Sequence, residues 1–174
     1  SLVQRHSALV SVPSLIFLDN PTCPPPELRR VAVGGTFDRL HLGHKKLLTV
    51  AALVARDTVV VGIANGKRLL GGKRGSSLIM SFSEREKAVV DFLGFIRPDL
   101  HVEVVELADG DGPACSDPHM DGLLVSSETA EASLRINERR QRNGLEPLTV
   151  LVIRRNHRST LASSMIRHQH HGRR

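Results

Sequence analysis

A chain of 174 residues, 40% of them hydrophobic, is long enough for one well-packed domain and too short for two of ordinary size. Aromatic residues make up 3% of it, with no Trp and no Tyr, so the core must be built from Val, Leu, Ile and Ala, and aromatic platforms for single-stranded nucleic acid are not expected. The net charge of +6 suits a nucleic acid, a membrane surface or a phosphorylated small substrate.

Residues 1–29 mix a short apolar stretch, Leu15 to Leu18, with the turn-rich Asn20-Pro21-Thr22-Cys23-Pro24-Pro25-Pro26, which reads as an extended N-terminal arm. The domain proper is expected over residues 30–167. Val31 to Val33 is an apolar run ending in Gly34-Gly35, and Leu42 to Ala55 carries helical spacing through Leu47, Leu48, Ala51 and Val54. Thr58 to Ile63 is β-branched enough for a strand buried on both faces. Ser83 with Glu86 has the spacing of a capping box ahead of Ala88, Val89, Phe92 and Leu93.

His101 to Leu107 reads as the next strand and Leu123 to Val125 as another. A helical stretch runs from Glu128 to Arg142, ended by Asn143-Gly144, and Thr149 to Ile153 supplies a last strand. This alternation predicts an α/β fold: a Rossmann-like parallel sheet of about five strands with helices on both faces, its ligands bound beyond the carboxyl ends of the strands. Residues 168–174, with His168, His170, His171, Arg173 and Arg174, read as a basic His-rich tail. Arg154, Arg155, Arg158 and Arg167 crowd the stretch before it, and a solvated tail is the plainer reading of the outermost charges.

Cys23 and Cys115 belong to no CxxC pair, which argues against a disulfide framework or a thiolate zinc site and for a reducing compartment, the cytoplasm. No apolar run reaches membrane-spanning length, and the opening residues lack a secretory layout. The chain does not open on Met, which leaves room for a removed organellar presequence. The P-loop spacing GxxxxGK[ST] and the GxGxxG fingerprint are both missing; Gly71-Gly72-Lys73-Arg74-Gly75-Ser76-Ser77 has the composition of the first but not its spacing.

The chemistry concentrates after the first domain strand. Gly34 and Gly35 let the backbone turn tightly and approach a phosphate, and Thr36 adds a hydroxyl; alone, such a pair is more often only a tight turn. His41 and His44 stand three apart at the start of a helix, on one face and beside the free N–H groups and positive dipole end, a combination that favours polyanions. The competing readings are ordinary surface or core imidazoles, or a zinc site. HExxH is absent and no third ligand is adjacent, so phosphate binding outranks metal.

The run Gly34-Gly35-Thr36-Phe37-Asp38-Arg39-Leu40-His41-Leu42-Gly43-His44-Lys45 resembles the HxGH signature of nucleotidyltransferases. In detail it is similar to the opening motif of phosphopantetheine adenylyltransferases of the eukaryotic and archaeal type. The similarity runs from about Val31 to Arg167. Gly112-Pro113-Ala114 with Ser116-Asp117-Pro118 resembles a block of that family, as does Val125-Ser126-Ser127-Glu128-Thr129 with Ile136-Asn137 and Arg140. Ser163-Ser164-Met165-Ile166-Arg167 resembles the second superfamily signature, a serine-rich turn opening a helix, although Ala162 stands where a further hydroxyl residue is usual and Thr160 is the nearest substitute.

The resemblance implies the HUP-type nucleotidyltransferase fold and transfer of the adenylyl group of ATP to 4'-phosphopantetheine, with Mg2+ carried by ATP. It implies catalytic roles for His44, Lys73 (with Lys67 as the rival) and Arg167. Gly34, Gly35, Thr36, Phe37, His41, Glu128, Asn137, Arg140, Ser163 and Ser164 would contact ATP or substrate. No nucleic acid, membrane or dedicated metal site is implied, and oligomeric state is left open. Two alternatives stand beside it: another HxGH enzyme acting on nicotinamide mononucleotide or using CTP, and a non-catalytic nucleotide-binding or basic nucleic-acid-binding module on the same fold.

Overall fold

The computed structural model of the chain describes residues 15–18, 27–71, 76–108 and 112–154. Within them the elements run β1 (Leu15–Phe17), β2 (Leu28–Gly35), α1 (Leu42–Val54), β3 (Ala55–Ala64), α2 (Lys67–Leu70), a 3-10 turn (Ser76–Leu78), α3 (Phe82–Ile96), β4 (His101–Leu107), a second 3-10 turn (Pro113–Cys115), β5 (Gly122–Ser126), α4 (Ala130–Arg142) and β6 (Thr149–Ile153). The alternation expected from hydrophobic periodicity is present. The strands form one six-stranded sheet in the order β1-β6-β5-β2-β3-β4, with all five pairings parallel.

Two expectations need correction. The sheet has a sixth strand, because Leu15–Phe17, read from sequence as part of an extended arm, pairs with Val150–Val152 at the sheet edge. A three-residue segment carries no usable periodicity, and its partner lies far along the chain. The capping box of α3 uses Ser81 and Glu84 rather than Ser83 and Glu86: the Glu84 N–H donates to Ser81 Oγ at 3.3 Å, and the Ser81 N–H donates to Glu84 Oε2 at 2.9 Å. Both serines satisfy the S-x-x-E spacing. The earlier start puts Arg85 one turn before Val89 on the buried side of the helix.

Side chains alternate across the sheet. Val31, Val33, Val59, Val61, Leu124 and Leu151 pack with Leu48 and Ala51 of α1 and Val89 and Leu93 of α3 on one face. Ala32, Val60, Leu123, Val125, Val150 and Val152 pack with Ala130 and Ile136 of α4 on the other. The central strands are therefore buried on both sides, which is why they read as continuous apolar runs.

From β2 the chain steps outward to β3 and β4, then returns to lay β5 against the other side of β2. The direction of winding reverses between β2 and β5. At such a reversal the connections leave the carboxyl edge in opposite directions and open a crevice between the two strand ends. Far from that edge, Arg30 near the start of β2 ties the sheet together. Its guanidinium donates to both carboxylate oxygens of Glu103 on β4, at 2.7 and 2.6 Å, and to Asp117 Oδ2 at 2.7 Å.

Candidate active site

The crevice is bounded on one side by the carboxyl end of β2. Gly34 is exposed there and Gly35 half-buried. A Cβ on Gly35 would stand 3.0 Å from the Phe37 ring, so this glycine leaves room for Phe37 to fold back under the turn. Phe37 (φ 50°) and Arg39 (φ 45°) both adopt left-handed backbone conformations, each costing about 1–2 kcal/mol for a residue with a Cβ. Two such residues within three positions persist only where the surroundings over-determine the turn.

The surroundings do so. Asp38 is fully buried, accepts the Met80 N–H at 3.1 Å and receives Arg39 Nη1, which also donates to the Leu78 carbonyl at 2.9 Å. Arg85, 1% exposed, donates to the carbonyls of Thr36 at 2.9 Å, Ala64 at 2.8 Å, Met80 at 3.0 Å and Ser81 at 3.3 Å, and to Asn65 Oδ1 at 3.0 Å. Burial pulls its pKa below the ordinary value, while Asp38 and Glu106 act in the opposite sense. A guanidinium nonetheless stays charged at neutral pH.

His41 is the N-cap of α1: its Nδ1 accepts the Gly43 N–H at 3.1 Å. A ring nitrogen that accepts cannot carry the proton, so neutral His41 is the Nε2–H tautomer, with that N–H left as its ring donor. The His41 and His44 rings stack with centroids 3.9 Å apart and planes 23° apart. Phe37 lies against His44 at 5.3 Å. A Cβ on Gly43 would come within 3.0 Å of His41 Cε1; glycine is what lets the His41 ring fold over its own helix start. The two imidazoles thus sit as one rigid pair at the positive end of α1, beside the Gly-Gly-Thr turn.

The other wall follows β5. Its register sets Val33 against Leu124, so the strand ends lie side by side, and Ser127, Glu128 and Thr129 stand exposed in the turn into α4. That turn is fastened by the Ser127 N–H donating to the Ile153 carbonyl at 3.0 Å and the Thr129 N–H donating to the Ser126 carbonyl at 2.9 Å. The structure therefore brings Gly34, Gly35, Thr36, His41, His44 and Glu128 to one edge of the sheet. Every strand is parallel, so the β3–α3 connection, which begins at Asn65 and includes Lys67, and Arg154 after β6 leave from that edge too. Lys73, Thr160, Ala162, Ser163, Ser164 and Arg167 lie outside the described residues.

Three residues expected to meet nucleotide are placed elsewhere. Phe37 has no exposed surface and backs His44 from beneath. Asn137, 1% exposed, gives its whole amide to the Leu148 backbone, donating to the carbonyl at 3.0 Å and accepting the N–H at 2.8 Å. Arg140, with no exposure, donates to the carbonyls of Glu146, Ala114 and Asp117 at 2.7, 3.0 and 2.8 Å. Ser133, Asn137 and Arg140 are the buried residues of α4, a polar stripe from which Asn137 and Arg140 hold the segments leading into β5 and β6. Sequence reasoning also passed over Asp38 and Arg85. The available signal for Arg85 was an arginine in the 85-89-93 stripe that is otherwise apolar.

Among the described residues no three His, Cys, Asp or Glu side chains converge on a metal-sized site, and no helix is long and apolar enough to cross a membrane. A parallel α/β sheet with a glycine turn, a stacked HxGH pair and a helix N-terminus at its switch point defines a nucleotidyltransferase-type site. The cytidylyltransferase-like family model matches residues 32–169, and the chain belongs to that family.

Within it, the chain is similar to phosphopantetheine adenylyltransferases: that of Methanopyrus kandleri is 43% identical over 75% of this chain and 81% of its own. That of Pyrobaculum aerophilum is 36% identical over 81% of this chain and 91% of its own. That of Saccharomyces cerevisiae is 38% identical over 70% of this chain, which spans 40% of the yeast protein. The fold also matches a solved structure from Archaeoglobus fulgidus described as a protein with unknown function, with a TM-score of 0.60 and 26% identity over 76% of this chain and 93% of that one.

Proposed function

We propose that the protein transfers the adenylyl group of ATP to 4'-phosphopantetheine, giving dephospho-coenzyme A and pyrophosphate, a step of coenzyme A biosynthesis. The observation that carries this reading is the stacked His41–His44 pair at the start of α1, in the β2–β5 crevice. The similarity to archaeal phosphopantetheine adenylyltransferases narrows the acceptor.

In the reaction, a terminal phosphate oxygen of the acceptor attacks the α-phosphorus in line. One P–O bond forms, the bond from the α-phosphorus to the oxygen bridging to the β-phosphate breaks, and the electron pair leaves on pyrophosphate. The attacking oxygen is already anionic, so the site supplies alignment and charge stabilisation rather than a base. His44 and the N–H groups at the start of α1 take the α- and β-phosphates. Gly34, Gly35 and Thr36 admit the phosphates close to the backbone, and His41 holds His44 by stacking. Glu128 lines the opposite wall, while the resemblance gives Lys73 and Arg167 the developing negative charge and Ser163 and Ser164 a contact with the triphosphate. Magnesium arrives as the ATP complex. The cytoplasm is the compartment this reading assigns.

The test is to incubate the purified protein with ATP, magnesium and 4'-phosphopantetheine and to follow pyrophosphate and dephospho-coenzyme A by mass. Both products should appear, and His44→Ala should lower turnover by about 10²-fold or more while the fold survives. Turnover of nicotinamide mononucleotide, or of CTP in place of ATP, without dephospho-coenzyme A would discard the acceptor and keep the chemistry. Undiminished turnover in His44→Ala would discard the assignment of that residue.

A further inference from the structure

We infer that Arg85 is a positioning residue for nucleotidyl transfer: without touching substrate, it sets the carbonyl of Thr36 and thereby the shape of the phosphate-facing turn. The inference rests on the reading of residues 34–44 as the catalytic turn. The guanidinium spans three separate pieces of chain. It holds Thr36 just beyond β2, Ala64 and Asn65 at the end of β3, and Met80 and Ser81 at the entry to α3. All five acceptors are neutral oxygens, four backbone carbonyls and the Asn65 side-chain amide, so its charge is not cancelled by a directly bonded carboxylate.

The same short segment also fastens the turn from its other end, through the Met80 N–H on Asp38 and the Leu78 carbonyl on Arg39 Nη1. The stretch pinned by these contacts, Thr36 to Arg39, contains both left-handed residues, Phe37 and Arg39. A turn that strained relaxes when one anchor is lost, and relaxation there moves Thr36 and the Phe37 ring that supports His44. Asn65 extends the brace sideways, because its amide also donates to Glu106 at 2.9 Å. The arrangement differs from a plain core role: nothing in the hydrophobic packing of α3 requires a charged group, and Val89 and Leu93 already bury that face.

Arg85→Lys keeps the charge but can reach only some of the five acceptors. Asn65→Ala removes one acceptor and is the gentler variant should Arg85→Lys fail to fold. Turnover per folded molecule is measured well below the melting temperature, alongside amide exchange by mass spectrometry over residues 36–39 and over the α1 core at residues 47–52. The expected result is a loss of kcat of about thirtyfold in Arg85→Lys and about fivefold in Asn65→Ala. KM for ATP should stay within about threefold, with faster exchange confined to residues 36–39. Unchanged turnover per folded molecule, or exchange rising equally in both segments, overturns the inference. If the wild type makes no dephospho-coenzyme A but turns over another acceptor, the same comparison is made with that acceptor. The exchange measurement needs no acceptor at all, so the two failures are distinguishable.

Discussion

Replacing Gly43 by Ala separates stability from alignment. A Cβ there would stand 3.0 Å from His41 Cε1 and 3.1 Å from Nδ1, so the ring must retreat by a few tenths of an ångström. It cannot do so in its own plane without weakening the 3.1 Å cap bond from the Gly43 N–H or the 3.9 Å stack on His44. Loss of an N-cap costs about 1 kcal/mol. Alanine is better than glycine inside a helix by up to about 1 kcal/mol, less in the first turn. The two effects nearly cancel, so the melting temperature should move by no more than about 4 °C. Turnover should not be spared, because a displacement of about 1 Å can cost two orders of magnitude in an alignment-dependent reaction. A smaller shift should therefore remove about tenfold, or 1.4 kcal/mol of transition-state stabilisation. The assay is pyrophosphate release under saturating ATP beside a thermal melt of the same sample. Wild-type kcat in a folded Gly43→Ala protein would refute the claim that the His41 ring position matters; a large fall in melting temperature would refute the claimed balance.

Asn137→Ala should lower stability by about 2–3 kcal/mol, since it strands both backbone groups of buried Leu148, yet leave turnover per folded molecule unchanged; denaturant melts and rates at low temperature check both halves. Arg30→Met should cost about 2 kcal/mol at neutral pH by leaving Glu103 and Asp117 without their cation. The hydrogen bond from Arg30 holds Glu103 below its ordinary value of 4.5. Burial pushes Asp117 up, but the His119 N–H and Arg30 outweigh it and leave it below 3.8. Depressed carboxylates stabilise the fold above their unfolded pKa, and that stability is lost as pH falls through the folded values. The wild-type melting temperature should therefore drop on acidification below about pH 4, and Arg30→Met should drop less steeply in the same window. Gly62→Ala should cost about 2 kcal/mol, because its Cβ would meet Leu107 Cδ1 at 2.7 Å. Adding Leu107→Ala should cost less than the sum of the two single changes, which a double-mutant cycle measures.

The sheet was legible because its central strands are buried on both faces and read as unbroken apolar runs, and because α1 and α3 carry a 3.6-residue stripe. The reversal at β2–β5 was not: strand order depends on which faces meet, and a succession of apolar strands and amphipathic helices reads alike in several orders. Of the candidate site, the nearness of the glycine turn to His41 and His44 was legible because these residues are close neighbours in the sequence, at the junction of β2 and α1. Phe37, Asn137 and Arg140 were drawn into the site by motif membership, yet the structure buries them. Arg85 and Asp38 escaped notice for the opposite reason. A buried arginine or aspartate betrays itself only through its partners, and those lie as far as residues 36 and 80 along the chain.

The contrast separates two uses of polar residues around one sheet edge. His41, His44, Thr36 and Glu128 keep some exposed surface at the crevice. Arg85, Asn137 and Arg140 are buried with donors on carbonyl oxygens, and to offer a donor to substrate they would have to strand a buried oxygen at about 1–3 kcal/mol each. The chemistry of the residue type does not decide which role a position takes; the accounting of buried carbonyls does. The turn at residues 36–39 takes its geometry from such buried groups, the Arg85 guanidinium on the Thr36 carbonyl and the Met80 N–H on Asp38. It follows that variants in the buried set should act on alignment or stability, and variants in the exposed set on binding and charge. Salt dependence distinguishes the two: weakening of ATP binding by added salt should shrink when an exposed cationic contact is removed, and stay as in the wild type when Arg85 is replaced by lysine.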